Sequence, residues 1–181
     1  DNTAQIAKSR KVLVFRHIIN RGLGGALATG LKYARSRGAD LLVTMDSDGQ
    51  HDPADIKRII HPILTSRVDL VIGRRDITRM PLDRKIITFL STMLTFIFFG
   101  VWCNDTQSGF RAFGQKAVQK IEIKTQKMEV SSEFFAEIKK HKLRFVEIPI
   151  RVIYTPYSRA KGQSNLNSIK VLLKLLLRLA R

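Results

Sequence analysis

Cysteine is nearly absent. Cys103 is the single one in 181 residues, which excludes an intramolecular disulfide framework, and its apolar neighbours suit a packed thiol rather than a nucleophile. Aromatic side chains are only 8% of the chain, too sparse for the stacking platforms that hold single-stranded nucleic acid. Acidic residues are scarce as well, 15 against 32 Lys and Arg. The opening "DNTAQIAKSRK" has neither an initiator Met nor the apolar core of a secretory signal, so the numbering is expected to begin inside a longer protein. Low-complexity tracts and internal repeats are missing, and long apolar runs are confined to residues 86–103 and a basic C-terminal stretch.

What remains has the composition of one folded domain, 44% hydrophobic and 26% charged. The formal net charge of +17 points to an anionic partner: nucleic acid, a phosphorylated substrate or acidic lipid. The basic residues are spread along the chain instead of forming one tract, which disfavours nucleic acid.

Short β-like runs read as "KVLVF" from Lys11, "LLVTM" from Leu41, "DLVIG" from Asp69, "GFRAF" from Gly109 and "RFVEIPIRVIY" from Arg144. Helical patterns separate most of them. Residues 25–37 carry Leu27, Leu31 and Ala34 on one face and stop at Gly38. Residues 52–65 begin with Asp52 as N-cap and Pro53 at the first helical position, then place Ile56, Ile59, Ile60 and Ile63 on one stripe. Alternating strands and helices with short connections predict an α/β domain on a mainly parallel sheet. Such sheets bind ligands beyond the carboxyl ends of their strands.

The stretch "VTMDSDGQHDP" occupies such an end, directly after "LLVTM". Asp52 is accounted for by its cap. Asp46 and Asp48 are not, and like charges placed side by side repel without a cation. Residues two apart on an extended strand end face the same side, so these carboxylates can share a divalent cation and substrate phosphate oxygens. A calcium loop counted from Asp46 would need glycine at its sixth position and Glu at its twelfth, where this chain has Gly49 fourth and Lys57 twelfth. The glycines of "NRGLGGALATG" also miss the dinucleotide spacing, because Leu27 stands where the last glycine belongs.

Together, "DNTAQIA", "NRGLGGALATGLKYARSRGADLLVTMDSDGQHDP", "DLVIGRR", "NDTQSGFRAF" and "RVIYTPYSRAKGQSN" resemble family-2 glycosyltransferases of the GT-A fold, most of all the polyprenyl-phosphate group that includes dolichol-phosphate mannose synthase. The stretches come in the family's order and cover nearly the whole chain. The resemblance implies a nucleotide-sugar donor, GDP- or UDP-hexose, with Asp48 as the main carboxylate on Mg2+ or Mn2+, Asp46 beside it and Gln50 as a further ligand. It implies that Asp105, Ser108, Gly109 and Arg111 line the acceptor side, and that Arg75, Arg84 and Arg111, with Ser108, bind the phosphate of a polyprenyl acceptor, since a guanidinium fork matches phosphate oxygens. Arg159, Lys161 and Ser164, around Gly162, resemble a mobile loop that closes over the donor diphosphate. A phosphate acceptor is already anionic at neutral pH, with a second pKa near about 6. A saccharide hydroxyl acceptor would instead need a base, for which Asp105 is best placed.

By the same resemblance, residues 1–165 are expected to form the GT-A domain without the family's first strand and acidic turn, which implies either a longer native protein or an incomplete donor site. Residues 86–103 would reach about 27 Å as a helix, barely a bilayer core. A spanning helix would put Asp48 and Asp105 on opposite sides of the membrane, so residues 84–103 are expected as an interfacial helix. Residues 166–181 are expected as a basic amphipathic helix that packs on the domain, rests on anionic lipid or leads into membrane spans. The resulting expectation is an inverting, metal-dependent hexosyltransferase (mannose or glucose) acting on polyprenyl phosphate at the cytoplasmic face of an anionic membrane, with no nucleic-acid partner. Its alternatives are transfer to a saccharide hydroxyl and a basic binding module without catalysis.

Overall fold

The computed structural model describes residues 2–65, 68–76, 82–125 and 130–153. Its elements are α1 (Thr3–Ser9), α2 (Gly22–Ser36), β1 (Leu41–Thr44), a 3-10 turn (Pro53–Asp55) leading into α3 (Ile56–Thr65), β2 (Leu70–Arg74), α4 (Leu82–Phe99), β3 (Arg111–Gly114), α5 (Gln115–Lys120), α6 (Val130–Lys140) and β4 (Phe145–Pro149). The side chain of Asp52 accepts the Ala54 N–H at 2.9 Å, which is the cap that the Asp-Pro pair predicts.

The four strands form one sheet in the order β1-β3-β2-β4. β3 runs antiparallel to both neighbours, while β2 and β4 are parallel. Three strands therefore point one way, as the alternating pattern predicts, but the inserted β3 leaves a mixed sheet. This insertion decides where the site lies. The carboxyl ends of β1, β2 and β4 share one edge, and the amino end of β3 enters at that same edge, with Thr44 and Ile72 both opposite Arg111 and Arg74 opposite Pro149.

Alternation along the strands divides the core into two layers. Leu70, Ile72 and Phe113 pack with Phe134, Phe135, Val118 and Ile138 on one face. Val71, Ala112 and Phe110 pack with Ile59 and Ile150 on the other.

"KVLVF" departs from its expected strand. Residues 11–20 have no regular structure, and Val12, Leu13 and Phe15 are exposed. A strand needs a neighbour for its backbone N–H and C=O groups, and among the described residues nothing pairs with the outer edge of β1. Phe15 leans on Tyr33 instead, with ring centroids 4.9 Å apart.

α4 is inverted relative to an ordinary surface helix. Thr88, Thr92 and Thr95 face the domain, whereas Ile86, Phe89, Leu90, Met93, Phe96 and Ile97 face outward, so that Phe89 is 58% exposed and Thr92 only 4%. The inward threonines are satisfied locally: Thr92 Oγ1 donates to the Cys103 carbonyl at 2.9 Å and Thr95 Oγ1 to the Ser91 carbonyl at 2.8 Å. No helix among the described residues is long and apolar enough to cross a membrane.

Candidate active site

The turn after β1 carries the acidic residues. Gly49 takes φ +79°, a left-handed conformation that glycine adopts without a Cβ clash, and the Gln50 N–H returns to Asp48 Oδ1 at 3.0 Å. The far side of the turn is tied to the chain after β4 by the Ile153 N–H, which donates to the Gln50 carbonyl at 2.9 Å, and by a bridge between His51 and Val152. Asp48, Gln50 and His51 are thus presented on a closed loop.

Asp46 leaves β1 beside the strand end of β3. Thr44 Oγ1 donates to the Gly109 carbonyl at 2.9 Å, and a Cβ built on Gly109 would lie 2.7 Å from Asp46 Oδ2 and 2.9 Å from Oδ1. The missing side chain at 109 is what lets the carboxylate lie against this strand. Its neighbour His51 is buried. The ring stacks on Phe110 at 5.0 Å between centroids, Nδ1 accepts the Asp46 N–H at 3.0 Å, and Nε2 lies 4.0 Å from Asp46 Oδ2. Burial pushes this imidazole below its ordinary pKa, against the opposing pull of Asp46 and Asp48.

The Asp46 side chain is 47% exposed, and Asp48 Oδ2 has no partner among the described residues. Carboxylate and amide oxygens of this kind suit a hard cation such as Mg2+ or Mn2+. Among the described residues no three His, Cys, Asp or Glu side chains gather into a metal site by themselves. A cation held by Asp46 and Asp48 would complete its coordination with other oxygens, from Gln50, water or a bound ligand.

Asp105, expected as the base if the acceptor were a saccharide hydroxyl, is engaged by Arg75. It is fully buried, and both of its oxygens are taken by Arg75, Nε to Oδ2 and Nη2 to Oδ1 at 2.7 Å each, with the Arg75 N–H adding a third bond at 3.0 Å. A carboxylate so engaged is an anchor for Arg75 rather than a base open to a sugar hydroxyl. Arg75 in turn spends two of its donors on Asp105, which narrows its expected role as a phosphate ligand. The turn holding Asp105 is itself fixed by Glu147 of β4, which accepts the Asn104 and Asp105 N–H groups at 3.0 and 3.1 Å and Asn104 Nδ2 at 2.7 Å. Burial and the nearby Glu147 push the Cys103 thiol well above its ordinary value, in keeping with an inert packed cysteine.

Arg111 and Ser108 are buried below this edge and are not surface groups. The Arg111 guanidinium lies 3.9 Å over the Phe134 ring, and Nη2 donates to the Thr106 carbonyl at 3.3 Å. Burial lowers its pKa to about 10, so it stays cationic at neutral pH. Among the described residues, Arg111 Nε and Ser108 Oγ have no hydrogen-bond partner. The Phe134 ring covers one face of the guanidinium, while its N–H fork, through which an arginine binds phosphate, lies in the plane. Of the other expected site residues, the Arg84 side chain lies outside the described residues, as do Arg159, Lys161, Ser164 and residues 166–181.

The fold therefore sets Asp46 against Gly109 at the β3 strand end, holds Asp48 and Gln50 on the adjoining turn, and joins Arg75 to Asp105. Sequence reasoning passed over His51 and Glu147. His51 stood in the quoted "GQHDP" and was masked by the cap beside it, while Glu147 interrupts the apolar run "RFVEIPI", the one signal that could have raised it.

Residues 1–122 match glycosyl transferase family 2. The UDP-N-acetylglucosamine–dolichyl-phosphate N-acetylglucosaminyltransferase of Methanococcus voltae is 38% identical over 92% of this chain and 69% of its own. The undecaprenyl-phosphate mannosyltransferase of Micrococcus luteus is 31% identical over 83% of this chain and 65% of its own. Glucosyl-3-phosphoglycerate synthase from Mycobacterium tuberculosis, solved with Mn2+, uridine diphosphate and glucosyl-3-phosphoglycerate, superposes with a TM-score of 0.54 at 16% identity, covering 97% of this chain and 64% of that one. The likeness in fold, the acidic turn at the shared strand edge and the extent of the match agree: this chain carries a GT-A glycosyltransferase domain and belongs to glycosyl transferase family 2.

Proposed function

We propose that the protein transfers a hexose, mannose or glucose, from a GDP- or UDP-linked donor to a polyprenyl phosphate at a membrane surface. The observation that carries this reading is the coupling of α4 to the site. The helix turns its apolar side chains outward, while its inner face is bonded to the loop that holds Asp105, through Ser91 Oγ and Thr106 Oγ1 at 2.9 Å and Thr92 with the Cys103 carbonyl. An apolar stripe resting among lipid chains would bring that loop to the depth of a lipid headgroup. The names of the M. voltae and M. luteus relatives, both polyprenyl-phosphate enzymes, support the same acceptor class.

In this reading Asp46, Asp48 and Gln50 would hold a divalent cation, Mg2+ or Mn2+, which neutralises the diphosphate leaving group. An acceptor phosphate oxygen attacks the anomeric carbon from the opposite side as the bond to the diphosphate breaks. The leaving oxygen keeps the electron pair and the anomeric configuration inverts. No general base is required, because the acceptor is already anionic. That agrees with Asp105 being committed to Arg75, and it disfavours a saccharide hydroxyl acceptor. We place the enzyme at the cytoplasmic face of the membrane, where basic surfaces meet anionic lipid.

The test is transfer of radiolabelled sugar to a short-chain polyprenyl phosphate in vesicles. Asp48→Ala should lower the rate more than about a hundredfold with an unchanged circular dichroism spectrum. Retained activity, or lipid-independent transfer to a free saccharide, would overturn the assignment.

A further inference from the structure

His51 is not used by the reaction described above, yet its backbone and both faces of its chemistry are engaged at the edge of the sheet. Its backbone bridges to Val152 and its ring is stacked on the fully buried Phe110. Its Nδ1 lies 3.0 Å from the Asp46 nitrogen. A ring nitrogen that accepts an N–H bond carries no proton, so the neutral imidazole holds its hydrogen on Nε2. That is the nitrogen 4.0 Å from Asp46 Oδ2. One ring thus addresses both ends of the same residue, taking the backbone donor of Asp46 and turning its own donor toward the carboxylate.

The opposite side of that carboxylate is closed by Gly109, where there is no room for a Cβ. The Asp46 carboxylate therefore lies between the Nε2 edge of the imidazole, at a 4.0 Å separation longer than a hydrogen bond, and a bare backbone. We propose that His51 is a positioning residue: locked as its Nε2–H tautomer by the Asp46 backbone, it sets the orientation in which the Asp46 carboxylate meets a divalent cation. The role rests on the metal reading of Asp46 and Asp48 given above. His51 acts through Asp46 and touches neither cation nor substrate. Groups that orient a metal-binding side chain in this way typically contribute about ten- to a hundredfold in metal affinity.

Two measurements on the full chain test this. Nitrogen-15 NMR of the histidines in the metal-free protein should show His51 Nδ1 unprotonated and Nε2 protonated, and the opposite tautomer would overturn the proposal. Mn2+ titration with UDP or GDP present, to supply the oxygens that the two carboxylates lack, followed by electron paramagnetic resonance, should then separate two variants. His51→Phe keeps the stack on Phe110 but offers no acceptor to the Asp46 N–H, and should weaken Mn2+ binding about tenfold or more. His51→Gln returns an amide N–H donor near the Nε2 position and should recover most of that loss. Wild-type affinity in His51→Phe overturns the role of His51 alone, as does an equal loss in both variants with matched melting temperatures. Absence of Mn2+ binding by the wild-type chain overturns the metal reading and this role with it.

Discussion

Arg75 grips Asp105 with two parallel hydrogen bonds of 2.7 Å while its own backbone N–H adds a third, so both oxygens of a wholly buried carboxylate are engaged by one residue. The pair links the end of β2 to the loop before β3, and Glu147 of β4 fixes the same loop from the other side. Rigidity, not proton transfer, is what this geometry supplies.

Removing one partner of such a pair leaves a buried charge without compensation. Asp105→Asn should destabilise the fold by about 3 kcal/mol, toward the lower end of the range for buried pairs because the Arg75 side chain is still 22% exposed. Urea unfolding measures it. A loss below about 0.5 kcal/mol, the level of an ordinary surface substitution, would show that the pair does not hold the loop.

Gly109 offers a test of the site that spares the core. In Gly109→Ala the new Cβ meets both Asp46 oxygens inside 3.0 Å, and the exposed carboxylate, being the softer partner, has to swing away. Displacement of a reacting group by about 1 Å can cost about a hundredfold in rate, whereas stability should change by about 1 kcal/mol. Full transfer activity in the variant would mean that Asp46 does not need its place beside this strand.

The outward face of α4 should bind lipid. Each large apolar side chain buried in a bilayer is worth about 1.5–3 kcal/mol, so Phe89→Asp or Phe96→Asp should weaken co-sedimentation with anionic phospholipid vesicles about tenfold or more. Both positions are exposed, so melting temperatures should barely move. Unchanged vesicle binding would remove the interfacial role.

Stability in acid should report on Glu137. Burial alone would raise its carboxyl, but hydrogen bonds from Lys140 and from the Glu122 N–H, with the charges of Lys140 and His141, outweigh burial and bring it below the ordinary value. A carboxyl depressed in the folded state stabilises above its unfolded pKa of about 4.3, and that contribution disappears as the pH falls from there through the folded value. Glu137→Gln should therefore be less stable than the wild type at about pH 6.5, with the gap narrowing below about pH 4.3. Parallel urea titrations at the two ends of that window check the sign, and a gap that widens in acid contradicts it.

Much of the fold was written locally. The stripe of Ile56, Ile59, Ile60 and Ile63, the Asp52-Pro53 start and the alternating strands around Val71 and Ala112 each depend on neighbours within a few residues, and each formed as expected. "KVLVF" did not, because a strand depends on a partner that its own composition cannot provide.

By itself the sequence determined the family's motifs, the α/β order of elements and the two carboxylates after β1, since periodicity, capping and turn chemistry act over short spans of chain. Only the tertiary structure decided that β3 runs against its neighbours, that Asp105 is bound to Arg75, that Arg111 lies under Phe134, and that His51 holds Asp46. A side chain's chemistry is set by what surrounds it in space. For these residues the deciding neighbours come from other elements, or across a turn whose closure depends on them.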